Sequence, residues 1–186
     1  MNMKHFIWLA LFLLFSGNAA AKEVAGVDVP DQLTLSQPPL QLNGAGVRSK
    51  FFMDLYVGAL YLPRPASTTA KVLQQDVAVV SLHILSGLIT AEKMRSTIEE
   101  GFEDATDGHT QEIAADIQHF IGLFDAEIQV GDTFLLVADK QQGVTAYKNG
   151  VASAPIKGEA FRAALLNIWL GQHPAQNSLK QQLLGQ

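Results

Sequence analysis

Arg48 is the residue whose type and position most clearly suggest binding chemistry. It lies in the segment 42–63, where two apolar runs flank the sequence Gly44-x-Gly46-x-Arg48. We interpret the two runs as strands and the glycine-rich sequence as the turn between them. A guanidinium keeps its charge at any working pH and presents a planar fork of N–H donors. The pattern therefore predicts an anchor for a carboxylate or a phenolate in whatever space the strands enclose.

Two plainer interpretations of Arg48 remain open, namely a surface arginine beside a turn and an ion pair with Asp54. A dinucleotide-binding loop is excluded, because Ser49 stands where the third glycine would be and a strand follows where a helix is required. The histidines are scattered along the chain, and cysteine is absent from it. Neither a metal site nor a cofactor is therefore expected.

The first 21 residues predict a secretory signal. Lys4 supplies the positive charge, residues 6–15 form an apolar run, and small residues end the segment at Ala21. The run is too short to span a bilayer, which requires about 20 residues. We expect cleavage after Ala21, a mature protein of residues 22–186 without a membrane segment, and a periplasmic location. No cysteine follows the site, so a lipoprotein anchor is not expected.

The composition limits the partners of the mature chain. The formal charge is −5, and loss of Lys4 makes it one unit more negative. An acidic chain is a poor partner for nucleic acid and for anionic membrane surfaces. An exported chain without cysteine must derive its stability from its core rather than from disulfides.

The hydrophobic periodicity predicts a single α+β domain over residues 22–186, in which helices cover one face of an antiparallel sheet. The turn at Asn149-Gly150 is a strong hairpin signal, because both residue types tolerate positive φ. Gly171 and Pro174 predict the end of the last long helix. Strands are predicted at 33–35, 40–47, 50–62, 77–85, 131–138, 143–148 and 151–156, and helices at 67–75, 90–104, 110–126, 159–170 and 178–184.

Short segments in a fixed order carry a family resemblance that covers most of the mature chain. They are Gly44-x-Gly46-x-Arg48, Leu60-Tyr61-Leu62, Ser86-Gly87, Ala91-Glu92-Lys93, Gly131-Asp132, Asn149-Gly150, Ile168-Trp169-Leu170-Gly171-x-x-Pro174, Leu179-Lys180 and Leu184-Gly185. Together they resemble the chalcone isomerase family, and the ending resembles its bacterial, exported branch. The resemblance implies the open-faced β-sandwich of chalcone isomerase, and the wider family includes fatty-acid-binding proteins.

The resemblance also implies roles for individual residues. In the plant enzymes an arginine on this hairpin holds the anionic nucleophile, and Arg48 matches it. Thr90 stands where a tyrosine polarises the substrate carbonyl, and Thr97 where an asparagine touches the substrate. Ile168 replaces a hydroxyl residue, and Tyr56 lies near the position of a hairpin threonine. Because a positioned acid or hydrogen-bond donor typically contributes a factor of about 10² to 10⁴, flavonoid ring closure is not expected here.

The sequence therefore predicts a non-catalytic, chalcone isomerase-like periplasmic protein that binds a small amphipathic anion such as a fatty acid. The expected ligand-binding residues are Arg48, Tyr56, Thr90 and Thr97, around a cavity between the sheet and the two central helices. An isomerase or lyase acting on an enone-like or phenolic substrate is the alternative. A third possibility is an envelope interaction protein with a filled core, in which Arg48 is locked to Asp54.

Overall fold

The structure is a computed structural model that describes residues 21–35 and 39–186, so the predicted export signal lies outside the described residues except for Ala21. Seven antiparallel strands form the main sheet, and each strand pairs with its neighbour in sequence. The strands are β3 (Gln32–Leu33), β4 (Leu40–Lys50), β5 (Met53–Leu62), β6 (Val77–Ile84), β7 (Thr133–Asp139), β8 (Gly143–Lys148) and β9 (Val151–Ala152). Before them, β1 (Ala21–Val24) and β2 (Val27–Pro30) form a separate hairpin.

Five α-helices occupy the connections between the strands and the end of the chain. They are α1 (Thr69–Leu73), α2 (Ala91–Ala105), α3 (Ala114–Gly122), α4 (Glu159–Leu170) and α5 (Asn177–Leu183), and a 3-10 turn (Gln111–Ile113) precedes α3. The predicted antiparallel α+β class is confirmed. Within the described ranges, no helix combines the length and apolar character that crossing a bilayer requires.

The main core lies between the helices and one face of the sheet. Its centre is a group of phenylalanines, in which Phe102 of α2 stacks on Phe161 of α4 with ring centres 5.2 Å apart. Phe120 of α3 meets both rings edge-on, at 6.1 Å and 5.7 Å. Tight aromatic packing of this kind fills the space between these three helices and the sheet.

The second face of the sheet carries a smaller apolar cluster around Val57, Tyr61 and Val79. Val29 of the β1–β2 hairpin is buried in the same cluster, and the Tyr61 hydroxyl donates to the Pro30 carbonyl at 3.0 Å. The sequence predicted an extension with one strand at 33–35. The structure instead has this hairpin and a short β3, because Ala25 and Gly26 both take the positive φ of a tight turn.

The glycine-rich sequence is not a turn, so that interpretation was wrong, whereas the strand predicted at 40–47, which contains both glycines, is present. β4 runs without a break through Gly44, Gly46 and Arg48, and the chain reverses at Phe51 and Phe52. Both phenylalanines have positive φ, at 50° and 65°. Apolar aromatic residues are typical of strands and not of such turns, which is why the pattern placed the turn too early.

The helix predicted at 110–126 begins as the 3-10 turn and ends at Gly122. The predicted last strand is reduced to β9 and one bridge from Ile156 to Val144. Arg162 of α4 is buried, although charged side chains are seldom core residues. It donates to the carbonyls of Ala138 and Gln75 and to the Glu159 carboxylate, so its charge and donors are satisfied structurally.

Candidate functional site

Gly44 and Gly46 bring α5 against β4. A Cβ on Gly44 would lie 2.0 Å from the carbonyl oxygen of Gln182, and a Cβ on Gly46 would lie 1.8 Å from its Oε1. Alternate residues of a strand share a face, so Arg48 continues the row that faces α5 and its approach segment. The Gly-x-Gly-x-Arg sequence therefore lets the C-terminal helix pack on the strand backbone and places Arg48 beside it.

A bulge at each end of this row fixes the geometry. Asn43 is the extra residue of the first bulge, where its amide bonds to the Ala66 and Leu183 carbonyls at 2.9 Å and 2.7 Å. The second bulge falls between Arg48 and Ser49, opposite Leu55. Bulges bend a strand and re-aim its side chains, and they are enriched beside functional sites.

Arg48 is half-buried and has no carboxylate partner among the described residues. Its Nη1 donates to the side-chain oxygen Oε1 of Gln176 at 3.0 Å and to the Ser49 carbonyl at 3.1 Å. The proposed ion pair with Asp54 is not formed, since Asp54 instead accepts a hydrogen bond from the Ser49 hydroxyl at 2.7 Å. Arg48 is thus held by neutral acceptors while its positive charge is unbalanced locally.

Tyr56 is the direct cross-strand neighbour of Arg48 and shares its face of the sheet. Its hydroxyl oxygen accepts a hydrogen bond from Nε1 of Trp169, in the last turn of α4, at 3.0 Å. In the described part of the chain this hydroxyl donates to no protein acceptor. Burial raises the pKa of Tyr56, while the Trp169 hydrogen bond and the Arg48 charge oppose the rise. The phenol is therefore neutral at physiological pH and keeps a proton to donate.

Thr90 and Thr97 do not belong to this arrangement in the described conformation. Thr90 is exposed and caps α2, where its hydroxyl accepts from the Lys93 backbone N–H at 3.2 Å. Thr97 is exposed as well, one turn after the buried Met94 on the same helix. The structure thus brings together Arg48 and Tyr56 of the four predicted binding residues, and it places the two threonines at the surface.

Two cavities are described, and Arg48 lines neither of them. The first, about 390 Å³, lies between the end of α3 and strands β7 to β9 and is mostly apolar. The second, about 290 Å³, lies between the ends of α2 and α4 and includes Asp104, Asn167 and Lys180. Beside Arg48, where the sequence placed the cavity, the guanidinium is in contact with Gln176, the cap residue of α5.

Sequence reasoning missed two residues of this site, Gln176 and Trp169. Gln176 Oε1 accepts from both Arg48 and the Ser49 backbone N–H, and no local signal marks a glutamine that pairs 128 residues away. Trp169 is buried, and its hydrogen bond to Tyr56 depends on the packing of α4 against β5, which no local sequence signal reveals.

Comparison with known proteins gives the family of this chain. No curated protein matches it. Among solved structures, a fatty-acid-binding protein of Arabidopsis thaliana is similar, with a TM-score of 0.63 at 15% identity over 86% of this chain and 92% of the plant chain. That identity shows a shared fold. A family model described as chalcone isomerase-like matches residues 21–185, so the chain belongs to the chalcone isomerase-like family.

Proposed function

We propose that this protein binds a small amphipathic anion, a fatty acid being the preferred class, and that Arg48 anchors its carboxylate. The observation that carries the proposal is the Arg48–Tyr56 pair, in which an unbalanced guanidinium stands beside a neutral hydroxyl that still has a proton to donate. A carboxylate accepts hydrogen bonds at both oxygens and can take both donors at once. The fatty-acid-binding activity named for the plant structure supports the same ligand class.

Charge favours an anion over a neutral ligand. A half-buried guanidinium is costly without a counter-charge, and the amide oxygen of Gln176 supplies only a partial one. A ligand carboxylate in the place of Gln176 Oε1 would keep the hydrogen bond to Arg48 and add the missing charge. Charge-assisted hydrogen bonds are about twice as strong as neutral ones.

The apolar part of the ligand requires space that the described cavities do not provide at Arg48. We infer that it enters between β5 and the helices when Gln176 and the start of α5 move away. The short α5 is joined to α4 by residues 171–176, and its cap residue Gln176 makes the contact to Arg48. Trp169, Leu179 and the ring of Tyr56 would line the opened space.

The binding test is a titration of a fluorescent fatty acid into residues 22–186 and into two variants. Arg48→Ala should weaken binding by about 2–5 kcal/mol, the usual cost of removing one partner of a buried charge pair. Arg48→Lys should restore part of the loss, because an ammonium lacks the planar two-pronged geometry.

Arg64→Ala is the matched control, since Arg64 is exposed at the other end of β5. It should leave the affinity unchanged. Thermal melts without ligand complete the test, and the melting temperature of Arg48→Ala should hold or rise. An Arg48→Ala protein that melts lower and binds as tightly as wild type would assign Arg48 a structural role and contradict the proposal.

We further propose that the protein is exported to the periplasm and processed after Ala21. The basic start, the apolar run and the small residues before Lys22 support this. Intact-mass measurement on periplasmic protein should show loss of residues 1–21. A full-length mass in that fraction would contradict processing at this site.

A further inference from the structure

The exposed large apolar side chains gather at one end of the main sheet. This is the end at which β4, β6 and β8 finish and β5 and β7 begin. The registers show it, because Ile84 of β6 lies opposite Tyr56 and Lys148 of β8 lies opposite Phe134. The connections at this end, together with the first residues of β5 and β9, carry six exposed apolar residues, namely Phe51, Phe52, Met53, Leu88, Val130 and Val151. Leu35, in the connection between β3 and β4, is the remaining large exposed apolar residue of the described chain and lies at the opposite end.

The turn between β4 and β5 is the most prominent part of this end. Phe52 is 107% exposed and Phe51 78% exposed, so both rings project into solvent beyond the strands. The Lys50 ammonium lies 5.8 Å from the centre of the Phe51 ring. Lysine beside an aromatic ring is suited to the boundary between apolar and aqueous phases, because its stem is apolar and its head stays in water.

The backbone of this turn shows that the fold alone does not account for the two phenylalanines. Both turn residues have positive φ in a two-residue hairpin, a geometry that asparagine and glycine adopt most easily. Two aromatic side chains there are strained, and both leave most of their surface exposed. Their presence therefore points to an apolar environment outside the protein.

We propose that this end of the sheet docks on a lipid bilayer, with Phe51 and Phe52 inserted into the interface. The apolar residues stand on separate projecting connections, a shape that a fluid lipid surface accommodates without matching pockets. The chain is acidic overall, so aromatic insertion drives docking and anionic lipid is not required. The proposal does not rest on ligand binding, although Arg48 lies on the same hairpin.

The test is flotation of residues 22–186 with vesicles of pure phosphatidylcholine, free of fatty acid. This segment contains every described strand and helix except the first residue of β1, and it lacks the apolar N-terminal run that would itself bind lipid. The wild-type segment should float with the vesicles, and the bound fraction should persist at high salt because the attraction is not electrostatic.

The decisive variant is Phe51→Asn with Phe52→Gly, which supplies the residues that the turn geometry prefers. Vesicle partitioning should fall about tenfold or more, while the melting temperature should hold or rise, so lost binding cannot be ascribed to misfolding. Leu35→Ser removes an exposed apolar residue from the opposite end and should leave partitioning unchanged. Phe52→Trp should still bind and should show blue-shifted emission that brominated lipid quenches.

Several results would overturn the proposal. One is equal flotation of the wild type and the Phe51/Phe52 double variant. Another is binding that needs phosphatidylglycerol and vanishes in salt, which would make it electrostatic. A third is self-association without vesicle binding that the double substitution abolishes, which would make this end a protein interface.

Discussion

Gly44→Ala should separate α5 from the sheet. The added Cβ would lie 2.0 Å from the Gln182 carbonyl oxygen and 2.8 Å from that of Leu183, and both are backbone atoms that cannot rotate away. Restoring ordinary contact requires the helix to retreat by about 1 Å or more, which a close-packed interior resists. Leu179, Leu183 and Leu184 are buried in the core and would be partly released.

The expected cost follows from these contacts. Overpacking usually costs about 1–3 kcal/mol, and loosening three buried leucines adds to it, so we expect about 3 kcal/mol or more. For a domain of this size that lowers the melting temperature by roughly 6–12 °C. Gly46→Ala should cost less, because its nearest neighbour is the movable Oε1 of the Gln182 side chain.

Gly58→Ala is the matched control. Gly58 also faces α5, but its Cβ would lie 3.6 Å from a Leu179 methyl group, which is an ordinary contact. We expect a change within about 1 kcal/mol. Urea unfolding of the three variants measures the series directly. If Gly44→Ala proves as stable as Gly58→Ala, the glycines do not serve the close approach of α5 and this account of the motif is wrong.

Three further predictions concern the buried charge, alkaline stability and catalysis. Arg162→Ala should lower the unfolding free energy by about 3–5 kcal/mol in a urea titration, because it leaves the buried Ala138 and Gln75 carbonyls without a hydrogen-bond donor. Arg95→Ala is the control, since it breaks only an exposed ion pair with Asp125 and should cost about 0.5 kcal/mol or less. Burial, and then the Asp31 charge, raise the pKa of Tyr61 to about 12, above its ordinary 10.0. The folded state thus holds this proton more tightly, so stability should fall as pH rises from 10 to about 12, and Tyr61→Phe should flatten that fall in pH-dependent melts. Purified protein should not cyclise chalcones above the spontaneous rate, since Thr90 is an exposed helix cap and Ile168 packs against Gly101; an acceleration of about 10³ would contradict this.

Local signals sufficed for several elements. α4 begins and ends where the sequence predicted, because Gly171 and Pro174 terminate a clear helical stripe. α2 begins within one residue of the predicted helix at 90–104, and Asn149-Gly150 forms the predicted turn with positive φ at both residues. In each case the deciding interaction lies within a few residues of the signal.

The features that sequence reasoning missed depend on distant contacts or on surface function. The two glycines of β4 pack against Gln182, and Arg48 donates a hydrogen bond to Gln176. Both glutamines lie more than 120 residues later in the sequence. The position of the turn at Phe51 and Phe52 was predicted wrongly for another reason. Its residues contradict the local preference of the backbone, and such contradictions concentrate where a sequence serves something other than folding.

The most direct test of whether Arg48 recognises a carboxylate compares a charged and a neutral ligand, each in the presence and absence of the Arg48 side chain. Dodecanoate and its neutral methyl ester are titrated calorimetrically into the wild-type segment and into Arg48→Ala. The wild type should prefer the acid by about 2 kcal/mol or more, which is roughly 30-fold. Arg48→Ala should bind acid and ester with similar affinity. An equal preference for the acid in both proteins would place the ligand's carboxylate elsewhere and contradict the account.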